Sequence, residues 1–152
     1  LMASSAAASS GQAAKGRILI VDDEEGIREL LKALLLDRYL VSEADSGATL
    51  RQAFACDRPD VVLLDLKLPD ANGLALLPVI KQQWPATEVI ILTGQPDEHG
   101  VPSWATEAAR GGAFSLVSKS AEFDCQKLLD GISLAMLRSL QARGEHAPSP
   151  GA

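Results

Sequence analysis

The chain has 152 residues, 47% of them hydrophobic and 22% charged, a composition typical of a single globular domain that buries its own core. The net charge of −6 argues against direct DNA binding by this chain and against binding to anionic membranes, because both need a basic surface. The presence of only two cysteines argues against a disulfide framework. The sequence has no apolar run long enough to span a bilayer and no secretory signal, and a cytoplasmic location is therefore predicted.

Five short apolar runs predict five β-strands, and a segment with helical periodicity follows each of them. In chain order, the strands are predicted at residues 17–21, 39–44, 61–64, 88–92 and 113–117. The helices are predicted at residues 25–37, 48–56, 73–84, 103–110 and 122–142. Pro78 lies inside the third helix, so a kink or a late start is expected there. This alternation predicts an α/β fold with a five-stranded parallel sheet covered by helices on both faces.

The two ends of the chain carry little that could pack against a core. Residues 1–16 are mostly Ala, Ser, Gly and Gln, and we interpret them as a disordered leader or an engineered remnant. Residues 143–152 are predicted to form a disordered tail. The single domain is therefore expected at residues 17–142.

Reactive side chains follow four of the five predicted strands. Asp22 and Asp23 come directly after the first strand, and Asp65 follows the unbroken apolar run of the third. Thr93 follows the fourth strand, and Lys119 lies just beyond the fifth. Ligands bind beyond the carboxyl ends of the strands in such sheets, so we expect these five residues to meet in one site.

The chemistry of this set points to phosphoryl transfer. Asp22, Asp23 and Asp65 would repel one another unless a cation neutralised them, and hard oxygen ligands without Cys or His favour Mg²⁺. An Asp can act as a nucleophile and form an aspartyl phosphate. The Lys119 ammonium and the Thr93 hydroxyl could each contact a phosphate oxygen.

Four segments together resemble the receiver domains of bacterial two-component response regulators, the CheY-like group. They contain Asp22 and Asp23, the Asp65–Gly73 stretch, Thr93–Gly94, and Gly112-Ala113-Phe114 with Lys119. The resemblance covers about residues 17–142. It implies the flavodoxin-like, doubly wound (βα)5 fold with strand order 2-1-3-4-5, for which CheY is itself an example.

The resemblance also implies a role for each of these residues. Asp65 would accept the phosphoryl group from a sensor histidine kinase or a phosphotransfer protein, and Asp22 and Asp23 would hold Mg²⁺. The backbone carbonyl of Lys67 would be a further metal ligand, while Thr93 and Lys119 would move towards the phosphoryl group. The surface formed by the fourth helix, the fifth strand and the fifth helix would then switch and control an output partner or domain. Such a receiver is a signalling domain with self-catalysed phosphotransfer and autodephosphorylation, not a turnover enzyme.

The sequence departs from the family pattern in three places. Ser120 stands where a Pro in a cis bond usually follows Lys119, so the loop is either trans or strained. Leu116 stands at the usual aromatic switch position. The stretch from Thr93 to Lys119 is about four residues longer than usual, with the extra length around residues 96–102.

These departures leave a second hypothesis open, namely a phosphorylation-independent receiver that acts as a protein-interaction module. The complete set of acidic residues argues against it. A hydrolase of the haloacid dehalogenase type is a third alternative, but Lys67 stands where that chemistry needs a second Asp. Extra leucines on the last helix, among them Leu134 and Leu137, make a homodimer a further hypothesis.

Overall fold

The computed structural model describes residues 15–94, 103–119 and 125–146, in which five strands alternate with five helices. The strands are β1 (Arg17–Val21), β2 (Leu40–Ala44), β3 (Val61–Asp65), β4 (Glu88–Thr93) and β5 (Ser115–Ser118). The helices are α1 (Glu25–Leu35), α2 (Gly47–Cys56), α3 (Gly73–Gln83), α4 (Ser103–Gly111) and α5 (Cys125–His146).

The strands form one parallel sheet in the order β2-β1-β3-β4-β5, which confirms the predicted fold. In the register between β1 and β3, Val21 lies beside Leu64. In the register between β3 and β4, Asp65 lies beside Leu92. Every strand runs in the same direction, so all five carboxyl ends lie along one edge of the sheet. That edge carries the residues singled out above.

Two apolar layers bury the central strands from both sides. Ile18 and Ile20 of β1 pack in the layer beneath α1 and α5, whereas the intervening Leu19 and Val21 pack in the layer beneath α2, α3 and α4. Burying each such side chain contributes roughly 1.5–3 kcal/mol. Burial on both faces explains why the strands are unbroken apolar runs instead of alternating patterns.

Most element boundaries agree with the predictions to within two residues, and the shift at the start of β5 has a local cause. β5 begins at Ser115, two residues late, because the amide of Ala113 donates to the carbonyl of Ala108 at the end of α4. Gly112 makes this turn with φ of +99°, a value that favours glycine. α3 begins at Gly73 and continues through Pro78, so the late start is not observed.

The ends of the fold extend beyond the predicted domain. α5 continues to His146, four residues past its predicted end, so residues 143–146 are helical and not part of a tail. Gly16 accepts a hydrogen bond from the amide of Leu40, and residues 1–14 and 147–152 lie outside the described residues.

Within the described ranges, no helix is both long and apolar enough to cross a bilayer. Cys56 on α2 and Cys125 on α5 are free cysteines, and their helices cover opposite faces of the sheet.

Candidate functional site

Four strand ends bring the reactive side chains to one edge of the sheet. Asp22 and Asp23 follow β1, Asp65 is the last residue of β3, and Thr93 is the last residue of β4. Lys119 follows β5, and its backbone amide donates to the carbonyl of Thr93 over 2.7 Å. Residues about 100 positions apart in the sequence are therefore neighbours.

Three carboxylates form the centre of the site. Asp22, Asp23 and Asp65 each place a carboxylate oxygen within 4.8 Å of the other two. Asp22 and Asp65 are buried and Asp23 is exposed, so one side of the cluster opens to solvent. Carboxylates this close repel one another and need a cation nearby.

Lys119 supplies one such cation. Its Nζ donates to Asp22 Oδ2 over 2.8 Å and lies 3.3 Å from Asp65 Oδ2. Burial alone lowers the pKa of Lys119, but the hydrogen bond to Asp22 and the charges of both aspartates outweigh it and leave this pKa raised. The ammonium therefore stays charged and offsets part of the repulsion between the buried carboxylates.

The pKa of the Asp65 carboxyl differs from that of an ordinary surface aspartate. Burial raises the pKa of its carboxyl, and the neighbouring charge of Asp22 raises it further. Lys119 and the backbone amide of Lys67, which donates to Asp65 Oδ1 over 3.3 Å, act in the opposite direction without cancelling the rise. A carboxylate with a raised pKa is a stronger base and so a better nucleophile once it is ionised.

An open cleft of about 360 Å³ lies over this cluster. Its lining in the described part of the chain is Asp23, Glu24, Asp65, Leu66, Lys67, Thr93, Gly94 and Lys119. The cleft is large enough for a phosphoryl group and a hydrated divalent ion. Thr93 is buried at its edge, where a hydroxyl can meet an incoming oxygen.

The β3–α3 loop (residues 66–72) forms the wall that carries Lys67. Lys67 pairs with Asn72 in a short antiparallel bridge, and the amide of Leu68 donates to the carbonyl of Ala71. Gly73 lets the loop close against the strand, because a Cβ atom there would lie 2.5 Å from the carbonyl oxygen of Asp65. The loop is therefore a compact hairpin.

Two residues near the site were not predicted from the sequence. Glu24 lines the cleft and places Oε1 3.3 Å from Lys119 Nζ. Arg28 donates from Nη1 to the backbone carbonyl of Asp22 and from Nε to Glu43, each over 2.8 Å. The acidic run that contains Glu24 was a usable signal, whereas the link from Arg28 to Glu43 on β2 depends on strand pairing that the sequence does not display.

The three departures from the family pattern have different outcomes. Leu116 lies on β5, partly buried, and packs in the apolar layer beneath α2, α3 and α4. Ser120, with the question of a cis bond after Lys119, lies outside the described residues. The expected longer loop at residues 96–102 also lies outside them.

The fold and this arrangement agree with comparisons to known proteins. The profile of the family described as the response regulator receiver domain matches residues 18–132, which is most of the chain. The chain belongs to the response regulator receiver family. It is thus a receiver domain of two-component signalling.

Individual relatives support the assignment. The receiver is 37% identical over 126 residues to the regulatory protein AtoC of Escherichia coli (strain K12), covering 82% of this chain and 25% of AtoC. It is 34% identical over 111 residues to the DNA-binding transcriptional regulator NtrC of Proteus hauseri, covering 72% of this chain and 23% of NtrC. The chain therefore spans about a quarter of the length of these two relatives.

A solved structure extends the likeness to three dimensions. The signal receiver domain of an HD domain-containing protein from Pseudomonas fluorescens Pf-5 superimposes with a TM-score of 0.79 at 30% identity. The match covers 90% of this chain and 96% of that one.

Proposed function

We propose that this receiver accepts a phosphoryl group on Asp65 from a phosphohistidine of a sensor kinase or phosphotransfer protein. The observation that carries the proposal is the convergence of three carboxylates with Lys119 and Thr93 in one open cleft. In the transfer, an Asp65 oxygen forms a bond to phosphorus and the bond between phosphorus and the histidine nitrogen breaks. Water later attacks the phosphorus, the bond to the Asp65 oxygen breaks, and inorganic phosphate leaves.

The donor set fits a magnesium ion. Asp22, Asp23 and Asp65 offer three hard oxygen ligands with no thiol or imidazole among them, and Lys67 lies at the same cleft for the proposed carbonyl contact. A bound Mg²⁺ would neutralise negative charge on the phosphoryl oxygens. Lys119 keeps its ammonium beside Asp65, where it can pair with a phosphoryl oxygen, and Thr93 can donate from its hydroxyl.

Phosphorylation would act as a switch on the surface formed by α4, β5 and α5. A phosphoryl group adds charge of about −1.5 to −2, which attracts Lys119 and Thr93 at the ends of β5 and β4. Their backbones are already joined by a hydrogen bond, so movement of one residue is passed to the other. Leu116 would change its packing against the helices without an aromatic ring to flip.

Output and partners follow from the same proposal. NtrC is a DNA-binding transcriptional regulator, and this receiver corresponds to about a quarter of it. We propose that a further domain or a separate protein supplies the output, since the net charge of −6 argues against DNA binding by the receiver itself. Leu134, Leu137 and Leu140 on α5 are exposed, and a homodimer through them stays a prediction, as does a cytoplasmic location.

Intact-mass spectrometry after incubation with MgCl₂ and acetyl phosphate tests the proposal. The wild type should gain one phosphoryl adduct and Asp65→Asn none. Asp37→Asn is a matched control, because it makes the same chemical change at an exposed aspartate and should label normally. Equal labelling of Asp65→Asn would refute the assignment.

The phosphorylation-independent interaction module predicts a different result. A folded wild-type protein would then take no adduct from acetyl phosphate or from a phosphorylated histidine kinase. The convergence of all three carboxylates on one cleft does not favour this alternative, because such a cluster carries a repulsive cost that a passive module has no reason to keep.

A further inference from the structure

The tip of the β3–α3 loop is fastened to the start of a different helix. Asp70 accepts hydrogen bonds from the amide of Gly47 to Oδ1 over 2.7 Å and from the amide of Ala48 to Oδ2 over 3.0 Å. These are the first two residues of α2, 23 and 22 positions before Asp70. The two hydrogen bonds hold the pKa of the Asp70 carboxyl below its usual range.

The start of α2 already has its own cap, and the hydrogen bonds to Asp70 come in addition to it. Ser46 accepts from the amide of Thr49, and the Thr49 hydroxyl accepts from the amide of Ser46 in return. This capping box satisfies the third amide of the helix, and Asp70 satisfies the first two. Removing either residue thus uncaps the same helix, but only Asp70 belongs to the loop beside the cleft.

The loop transmits this attachment to the cleft. Its hairpin places Asp70 at the tip and Lys67 at the base, where Lys67 pairs with Asn72 and lines the cleft. The loop also packs closely on α2, since a Cβ atom at Gly47 would lie 3.2 Å from Ala71 Cβ. Asp70 is outside the lining of the cleft in the described residues, so any effect on the site passes through the loop.

We propose that Asp70 is a positioning residue for the metal and phosphoryl site, because it anchors to α2 the loop that presents the Lys67 backbone. The inference rests on the proposed function, in which the Lys67 carbonyl is a metal ligand. Without the anchor, the hairpin would sample other positions and the Lys67 backbone, whose amide donates to Asp65 Oδ1, would leave its place beside that carboxylate. Loss of such supporting contacts typically weakens metal binding by about 10–100-fold.

Asp70→Ala and Ser46→Ala form a matched pair for the test. Both remove hydrogen bonds from the amino end of α2, so both should lower the melting temperature of the full chain. Isothermal titration with MgCl₂ should show Asp70→Ala about 10-fold or more weaker than wild type and Ser46→Ala nearly unchanged. Asp70→Asn, which keeps one acceptor oxygen, should fall between them and serves if Asp70→Ala folds poorly.

Hydrogen exchange gives a second readout that does not depend on the metal. The amides of Leu68 and Gly73, which donate within the loop and to Leu66, should exchange faster in Asp70→Ala but not in Ser46→Ala. Equal Mg²⁺ affinity, or equal loop exchange, in the two alanine variants would overturn the inference alone. A folded wild type that binds no Mg²⁺ and takes no phosphoryl group would instead overturn the proposed function and this inference with it.

Discussion

Asp60 and Asp65 are buried carboxylates at opposite ends of β3, and a different cation contacts each of them. Asp60 directly precedes the strand and pairs with Arg143 of α5, whereas Asp65 ends it and faces Lys119 at 3.3 Å. Five residue steps along the strand place the two Cα atoms about 17 Å apart. The strand that carries the proposed phosphoacceptor is thus held electrostatically at both ends.

Strand β4 shows the same arrangement at its amino end. Glu88 is buried there and lies 3.2 Å from Lys81 of α3 and 3.3 Å from Arg138 of α5. α3 and α5 cover opposite faces of the sheet, so this carboxylate ties both helical layers to one strand. α5 is consequently fixed to the two strands that end in Asp65 and Thr93.

Replacing Arg143 should destabilise the domain. Arg143→Ala would leave Asp60 buried with only the backbone amide of Arg17 as a hydrogen-bond donor in the described contacts, at 2.9 Å. More than half of the Arg143 side chain is exposed, so solvent screens the pair, and we expect a loss of about 1 kcal/mol. Urea denaturation measures it.

A double-mutant cycle with Asp60→Asn distinguishes the loss of the Arg143–Asp60 interaction from a general destabilisation of α5. The two changes should be less than additive, because either one removes the same interaction. Strictly additive losses would show that the Arg143–Asp60 contact contributes nothing.

Replacing Lys119 should make stability depend more strongly on Mg²⁺. Lys119→Met leaves Asp22 and Asp65 without their shared cation, and we expect a loss of about 2 kcal/mol in EDTA. MgCl₂ should restore part of it, so the Mg²⁺-induced rise in melting temperature should exceed that of the wild type.

Lys32→Met is the control for this measurement. Lys32 also pairs with carboxylates, Glu29 and Glu43, but these lie outside the acidic cluster. Its response to MgCl₂ should equal that of the wild type. An unchanged or smaller Mg²⁺ response in Lys119→Met would contradict the prediction.

The contribution of Asp70 to stability should disappear in acid. Its pKa is lowered in the folded protein, mainly by the Gly47 amide and in part by the charge of Arg51. Such a carboxylate stabilises the fold above its unfolded pKa of about 3.9, and the contribution is lost as the pH falls through the lower folded value. The stability gap between wild type and Asp70→Asn should therefore be constant near neutral pH and shrink below about pH 4.

Ser46→Ala provides the comparison in the same denaturation series, because a hydroxyl does not titrate in this range. The difference in free energy of unfolding between Ser46→Ala and the wild type should not change over the pH range in which Asp70 titrates. If the Asp70→Asn gap kept its neutral value down to about pH 3, the ionised carboxylate would not be what stabilises the contact.

Gly73 should tolerate no side chain. The Cβ atom of Gly73→Ala would lie 2.5 Å from the carbonyl oxygen of Asp65 and 3.0 Å from Leu66 Cα, and backbone atoms cannot rotate away. We expect a loss of about 3 kcal/mol in thermal or urea unfolding. Gly26→Ala in α1 meets nothing within 4 Å and should instead gain up to about 1 kcal/mol. Similar effects of the two changes would contradict the steric explanation.

The sequence was sufficient to predict the sheet and the edge at which the acidic and basic side chains meet. The central strands are unbroken apolar runs because both of their faces are covered, and parallel pairing alone then brings Asp22, Asp65 and Lys119 to one edge. The strand order and the proposed role of the Lys67 carbonyl came from the resemblance and not from the periodicity.

Other features depend on contacts that no local pattern encodes. Arg143 and Asp60 are 83 residues apart, and each alone is typical of a solvated surface charge. The helical end of α5 was predicted as a tail because it carries little that could pack against a core, yet Arg143 within it pairs with a buried carboxylate. The anchoring of Asp70 was hidden for the same reason, since a Pro-Asp turn also occurs without any partner.

The long α5 determines where this receiver can be cut or fused. The family match ends at residue 132, but the helix runs to His146 and carries Arg138 and Arg143 beyond that point. A truncation at the family boundary would remove both arginines and leave Asp60 and Glu88 without them inside the sheet. A chimera that joins a foreign output module to this domain should therefore place its junction after the last turn of α5, so that both arginines stay with their strands.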